Sequence, residues 1–409
     1  MYSRDTAITV LPFTRQRDGD EVIIGNTETG MFLAVPPDAV ELLDELACGK
    51  SIGEVSDQYE EMYGETPDLN DLLGVLEQNG MIERLTEESE GRAAGATLPR
   101  AVRQRYHFSV FPQSVARALF SGPTLVFCFL VIALALTVVT RYPQLTPSPA
   151  DLCFPDHRTL TWVVLLVVYF ATIFVHEFGH LVAARALGIN SRMGISHRLW
   201  YLVAETDLTG LWAVPKRQRY LPILAGILID IVSASVLVLI LFANFHHWLA
   251  LSTFCLRLIR AMAFTYLLRV AWEFFLFVRT DIYYAIATFF SCKNLLGDTR
   301  IFLGNQLARI LPLIHWTDQS AIPVSERRVI RAYALVWAAG QMWALSTLFL
   351  VTVPVGRNYV LDLAGVLRAG YSSNPANFAD SLVLSSCFLI PTIAGFVLWV
   401  NSLVRRKGT

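Results

Sequence analysis

Six stretches of this chain stay apolar for about 20 residues, the length a helix needs to cross a hydrocarbon layer. They are Pro123–Thr140, Leu160–Ala183, Leu221–Ala243, Leu251–Val278, Ala332–Val355 and Ser381–Val404. In lipid every backbone N–H and C=O must be satisfied inside the protein, so such runs commit to helices. Only 16% of the 409 residues are charged, against roughly 25% in an average soluble protein. The expectation is a mainly α-helical, polytopic membrane protein of about six transmembrane helices, with a small α+β domain in front. The first run starts only at Pro123, so it does not read as a signal peptide. A net charge of −1 leaves no electrostatic footprint for nucleic acid.

Orientation follows from Lys and Arg, which accumulate on the cytoplasmic side of membrane proteins. With the N-terminus inside, the outer loops hold only Arg141, Arg158, Arg357 and Arg368. The inner flanks hold clusters such as Arg100, Arg103 and Arg105, then Lys216, Arg217 and Arg219, then Arg327, Arg328 and Arg331, and finally Arg405, Arg406 and Lys407. Both termini are therefore expected in the cytoplasm. Of the six cysteines no two form a CxxC pair, so neither a disulfide framework nor a thiolate metal site follows.

Residues 1–86 read as a soluble domain. Glu21–Asn26 and Met31–Val35 are short β-prone runs, with turn chemistry at Asn26-Thr-Glu-Thr-Gly30 between them. A first amphipathic helix is expected over Asp38–Cys48, stopped by Gly49. A second opens at Ser51 with Glu54 completing a capping box. A third spans Asp68–Asn79 and ends at Gly80, and a last strand starts near Ile82. Residues 87–105, with three glutamates, Gly91, Gly95 and Pro99, read as a flexible linker to a membrane domain over 106–409.

His176-Glu177-Phe178-Gly179-His180 is a His-Glu-x-x-His sequence within the second apolar run. Residues four apart share a helix face, so both imidazoles can meet one zinc ion, while Glu177, about 100° around the helix, can act as a general base on a water. The composition makes such a pattern arise by chance about 0.01 times per chain, and ionisable residues within a membrane default to a functional reading. Zinc requires a third protein ligand. Asp281 is the first choice, because it follows the fourth run at its cytoplasmic end, as His180 does in the second. Glu205, 25 residues after His180, and Asp230, within the third run, are the rivals. Asp230 could equally pair with Arg257, Arg260 or Arg269, and Arg269 with Glu273. Tyr283 is a candidate donor to a tetrahedral intermediate. Ser191–Arg219 reads either as an interfacial loop or as a re-entrant β-hairpin offering an edge to an extended substrate.

Two resemblances extend these readings. His176-Glu177-x-x-His180 with Asp281 in Arg279-Thr-Asp281-Ile-Tyr283-Tyr284 resembles the site-2 protease family of intramembrane metallopeptidases, and within it the bacterial peptide zinc metallopeptidases. It covers about residues 160–300. It implies His176, His180 and Asp281 as zinc ligands and Glu177 as base; Ile282 stands where that family often has Gly. The segment EVIIGNTETGMFLAVPPDAVELLDELACGKS with DLNDLLGVLEQNGMI resembles the PqqD-like peptide-recognition domain, a winged-helix-like fold. It implies capture of a precursor's leader peptide as an added strand, between Met31, Phe32, Leu33, Ala34 and Val35 on one side and Leu69, Leu72 and Leu76 on the other.

Together these imply a zinc endopeptidase of a bacterial cytoplasmic membrane that matures a ribosomally made peptide. A non-catalytic peptide-binding, immunity or export protein is one alternative. Regulated proteolysis of a membrane-spanning regulator is another. Oligomeric state is not legible.

Overall fold

The computed structural model describes the chain except residues 1, 5, 7, 20, 27–30, 85–110, 153–157, 312–314, 321, 372–374 and 406–409. The turn expected at 27–30 and the linker expected at 87–105 lie outside the described residues. The chain divides into two compact units. One comprises 1–111 with 187–192 and 207–219, and the other 112–186, 193–206 and 220–409.

In the first unit, strands β1 (Ile8–Val10), β2 (Thr14–Asp18), β3 (Glu21–Asn26) and β4 (Met31–Val35) precede helices α1 (Pro37–Ala47), α2 (Ile52–Tyr63) and α3 (Leu69–Gln78). Strand β5 (Ile82–Arg84) then pairs antiparallel with β1. The other sheet is antiparallel in the order β2-β3-β4. Helix boundaries follow the chemistry seen in the sequence. Ser51 and Glu54 form a reciprocal capping box, Asp68 caps α3, and Gly49 and Gly80 take the positive φ that ends a helix at low steric cost. Apolar faces of α1, α2 and α3 close over Ile24, Val35 and Ile82 in one core. Strands β1 and β2 were not foreseen. The Thr-Arg-Gln-Arg-Asp of β2 has no apolar alternation and is strand only through its pairing with β3. Ile23, on the sheet face away from that core, is still buried, and the 3-10 turn Thr209–Ala213 packs on β2, β3 and β4. There Arg219 donates to Asp18 at 2.7 Å and lies 4.8 Å from the Trp212 ring centre.

The second unit is helical apart from one hairpin. Helices α4 (Gln113–Leu119) and α5 (Gly122–Arg141) lead to α6 (Arg158–Ala186). A hairpin of β6 (Arg192–Arg198) and β7 (Tyr201–Asp207) follows, then α7 (Lys216–Phe245) and α8 (Thr253–Trp272). Next come α9 (Asp281–Phe289), α10 (Leu295–Ala308), α11 (Val324–Thr347), α12 (Val353–Ala369) and α13 (Pro375–Arg405). Helix α6 is central, packing on α4, α8 and α13, and the Arg117 side chain of α4 caps its last carbonyls through Ala186 O.

Among the described residues, five helical stretches are long and apolar enough to cross a membrane. Four match expected spans. The expected fifth span extends as helix from Val324 to Ala369 through a π-helical turn at Leu348–Thr352, so Arg357 and Arg368 are helical rather than in a loop. The expected fourth, Leu251–Val278, is shorter: α8 ends at Trp272 and carries Arg257, Arg260 and Arg269, which keep it out of the five. The chain then turns through Glu273–Thr280 before α9 starts.

Candidate metal centre

Helix α6 places His176 and His180 one turn apart on a buried face. Each ring is held by its Nδ1: His176 lies 2.7 Å from Asp230 Oδ2, and His180 2.7 Å from the Pro222 carbonyl. Both partners on α7 are acceptors, so these contacts assign the proton of a neutral ring to Nδ1 and leave a lone pair on each Nε2. Pro222 is inside a helix, where its ring leaves backbone groups without their usual partner.

Asp281 comes from the first residue of α9. Thr280 caps that helix, and the Asp281 amide donates to the buried Glu273 carboxylate at 2.7 Å. Glu273 thus serves the turn that carries Asp281, a role not read from the sequence. Asp281 Oδ2 lies 3.0 Å from His180 Nε2 and 3.3 Å from His176 Nε2, and the two Nε2 atoms are 3.1 Å apart. Oδ2 is buried with no hydrogen-bond donor to satisfy it. With both rings neutral, three acceptors therefore converge with no proton between them, an arrangement that a cation seated within it would relieve.

The edges of that triangle suit a metal. Tetrahedral bonds of about 2.05 Å put neighbouring ligand atoms about 3.3 Å apart. Gly226 on α7 leaves room for an ion at this point. A Cβ there would stand 2.4 Å from His180 Nε2 and 2.5 Å from His176 Nε2. Gly179 lets α7 approach α6, since a Cβ there would stand 2.3 Å from Ile229 Cδ1. Among the described residues, His176, His180 and Asp281 are the one group of three able to hold a metal.

Glu177 is buried beside them. The Thr206 hydroxyl of β7 lies 2.8 Å from Glu177 Oε2 and 3.0 Å from its carbonyl oxygen. Thr206 escaped the sequence reading, because its partner is fixed only by how the hairpin folds back. Strand alternation sends the neighbouring Glu205 the other way, and it is exposed and outside the ligand group. The hairpin turns at Leu199 and Trp200, with Leu199 at φ 56°, and buries Trp200 against Phe277, Val278 and Ala344. Its base is closed by Arg192 and Asp207 at 3.0 Å, where hydrogen bonds from Thr209 and Arg192 hold the Asp207 carboxyl below the usual range.

Other candidates fall elsewhere. Asp230 is fully buried and partners His176 rather than entering the ligand triangle. Arg269 approaches Asp230, and Glu273 takes the Asp281 amide, in place of the expected i, i+4 pair. The Tyr283 hydroxyl accepts the Leu296 amide at 3.0 Å inside a packed cluster. In the first unit, Leu69, Leu76 and Val35 belong to the core and Leu72 and Leu33 pack at its border. Phe32 lies over Gly25 of β3, Ala34 is exposed, and Met31 is 42% exposed at the sheet's edge strand.

No protein-family model, curated protein or solved structure matches this chain.

Proposed function

We propose that the protein is an intramembrane zinc metallopeptidase. The observation that carries this reading is the convergence of His176 Nε2, His180 Nε2 and Asp281 Oδ2 on the space left by Gly226. Two histidines and one carboxylate are the donor set of many catalytic zinc sites. Zinc bound there would supply a Lewis acid that polarises a carbonyl and brings the pKa of a water to about 7. Glu177, oriented by Thr206, takes the proton of the attacking water and returns it to the leaving amine. Asp230 and the Pro222 carbonyl hold the two imidazoles so that their Nε2 atoms face inward. A two-stranded hairpin, with no third strand among the described residues, supports an extended peptide as substrate, paired to its edge.

The substrate we propose is a ribosomally made precursor peptide, brought by its leader to β4 of the N-terminal unit, where tethering raises its local concentration. β4 is an edge strand, in keeping with this. With α8 counted as a sixth crossing, the excess of Lys and Arg on the inner flanks supports both termini inside, and we place the chain in a bacterial cytoplasmic membrane.

The test is metal content of the purified protein beside two variants. One zinc per chain is expected, kept in Glu177→Gln with peptide cleavage lost, and weakened in Asp281→Ala. An intact protein that takes up no zinc when supplied with it would sink the peptidase and leave a membrane peptide-binding protein.

A further inference from the structure

Behind His176 lies a group of polar side chains that the ligand triangle does not use. Asp230 of α7 is fully buried in an otherwise apolar stretch of helix. Its Oδ2 meets His176 Nδ1 at 2.7 Å and Arg269 Nε of α8 at 3.6 Å. The Arg269 guanidinium also bonds the Thr172 hydroxyl. Thr172 is buried one turn before His176 on α6, so it shares that helix face. One guanidinium therefore links a carboxylate of α7 to the helix that carries the histidine. Its central carbon lies over the Tyr266 ring, 5.7 Å from the ring centre.

The two histidines are held differently. His180 leans on a neutral carbonyl, and His176 on a carboxylate that has its own counter-cation. A carboxylate behind a metal-binding imidazole fixes the tautomer, aims the ring and makes the ligand nitrogen more electron-rich. Buried ion pairs are weak sources of stability, so fold alone is a poor reason for this one beside a ligand. Asp230 Oδ1 and Arg269 Nη1 are buried without hydrogen-bond partners, which is a further departure from a site arranged for stability.

We infer that Asp230, braced by Arg269 and Thr172, is a positioning residue that presents His176 to the metal and sets how tightly the metal is held. This rests on the zinc reading above and adds that the site has one strong and one ordinary imidazole. Arg269 acts at one remove, by holding the carboxylate in place.

The test is Zn2+ affinity of the full-length protein in detergent, measured by competition with a chromophoric chelator. It is paired with the visible spectrum of the Co2+-loaded form and a thermal melt. Asp230→Asn keeps the shape and removes the charge. A loss of about 10- to 100-fold in Zn2+ affinity is expected, the usual consequence of changing such a partner, together with a shifted Co2+ spectrum. Arg269→Lys keeps the charge but loses the fork, and should weaken Zn2+ binding less. If Asp230→Asn does not fold, the double variant Asp230→Leu with Arg269→Leu decides, because it leaves no unpaired charge. It should melt near the parent temperature yet bind Zn2+ at least tenfold more weakly.

Parent-like affinity and Co2+ spectrum in Asp230→Asn, or in the double variant, would overturn the inference and leave a structural ion pair. A parent protein that binds no Zn2+ would instead remove the reading on which it rests.

Discussion

Thr206 shows how a residue without catalytic chemistry of its own can matter to a site. Its hydroxyl lies 2.8 Å from Glu177 Oε2, and a hydrogen bond to a charged group contributes about 1.5–3 kcal/mol. Thr206→Val keeps the volume and removes that bond. On the peptidase reading proposed above, peptide cleavage by the variant is expected to fall roughly tenfold or more, with zinc content unchanged, because Thr206 touches none of the three candidate ligands. Zinc lost along with activity would mean that the hairpin supports the metal as well. The histidines and Glu177 were legible because their relation is local, fixed by 3.6 residues per turn. Asp281 was legible from its place after an apolar run. Asp230 was not resolved, since a buried carboxylate between basic helices and a histidine helix has several partners within reach, and only packing selects one. Thr206 was silent, because it meets Glu177 through a fold-back that no short window contains, and Glu273 was read only as a partner for Arg269, since its bond to the Asp281 amide depends on how the chain turns after α8.

Among the elements, α2 of the N-terminal unit depends most openly on its first turn. Ser51 accepts the Glu54 amide, and the Glu54 carboxylate accepts the Ser51 amide. Those hydrogen bonds hold Glu54 below its ordinary value of 4.5. A depressed folded-state value means the contribution is present above about pH 4.5 and fades as pH falls through the folded value. Ser51→Ala is expected to cost about 0.5–2 kcal/mol at neutral pH. Its deficit, read from denaturant melts of the N-terminal unit, should narrow in acid. A deficit independent of pH would assign the effect to the hydroxyl alone. Caps and glycine stops gave these helices near-final bounds in advance. Strands β1 and β2 did not announce themselves, being polar segments held by partners distant in sequence. The short α8 was over-extended for the opposite reason, since Phe274–Val278 is as apolar as a span but folds as a turn.

For the molecule as a whole, orientation is open to direct measurement with native cysteines. Cys48 and Cys255 are both exposed, one on the N-terminal unit and the other in the first turn of α8. With both termini inside, a membrane-impermeant thiol reagent should label Cys255 in intact cells and Cys48 only in inverted vesicles. The reverse pattern would turn the protein over and place Asp281 toward the outer face. The three candidate ligand atoms come from α6 and from α9, segments separated by the hairpin, α7 and α8, while α7 supplies the space at Gly226 and, through Asp230 and the Pro222 carbonyl, the hold on both imidazoles. An ion seated there is then a clasp as well as a reagent. It fastens distant parts of the chain at one point in a solvent that provides little drive for helices to associate. On the zinc reading proposed above, withdrawing it would loosen a joint as well as stop a reaction, and the protein's persistence in its membrane would be tied to the supply of metal.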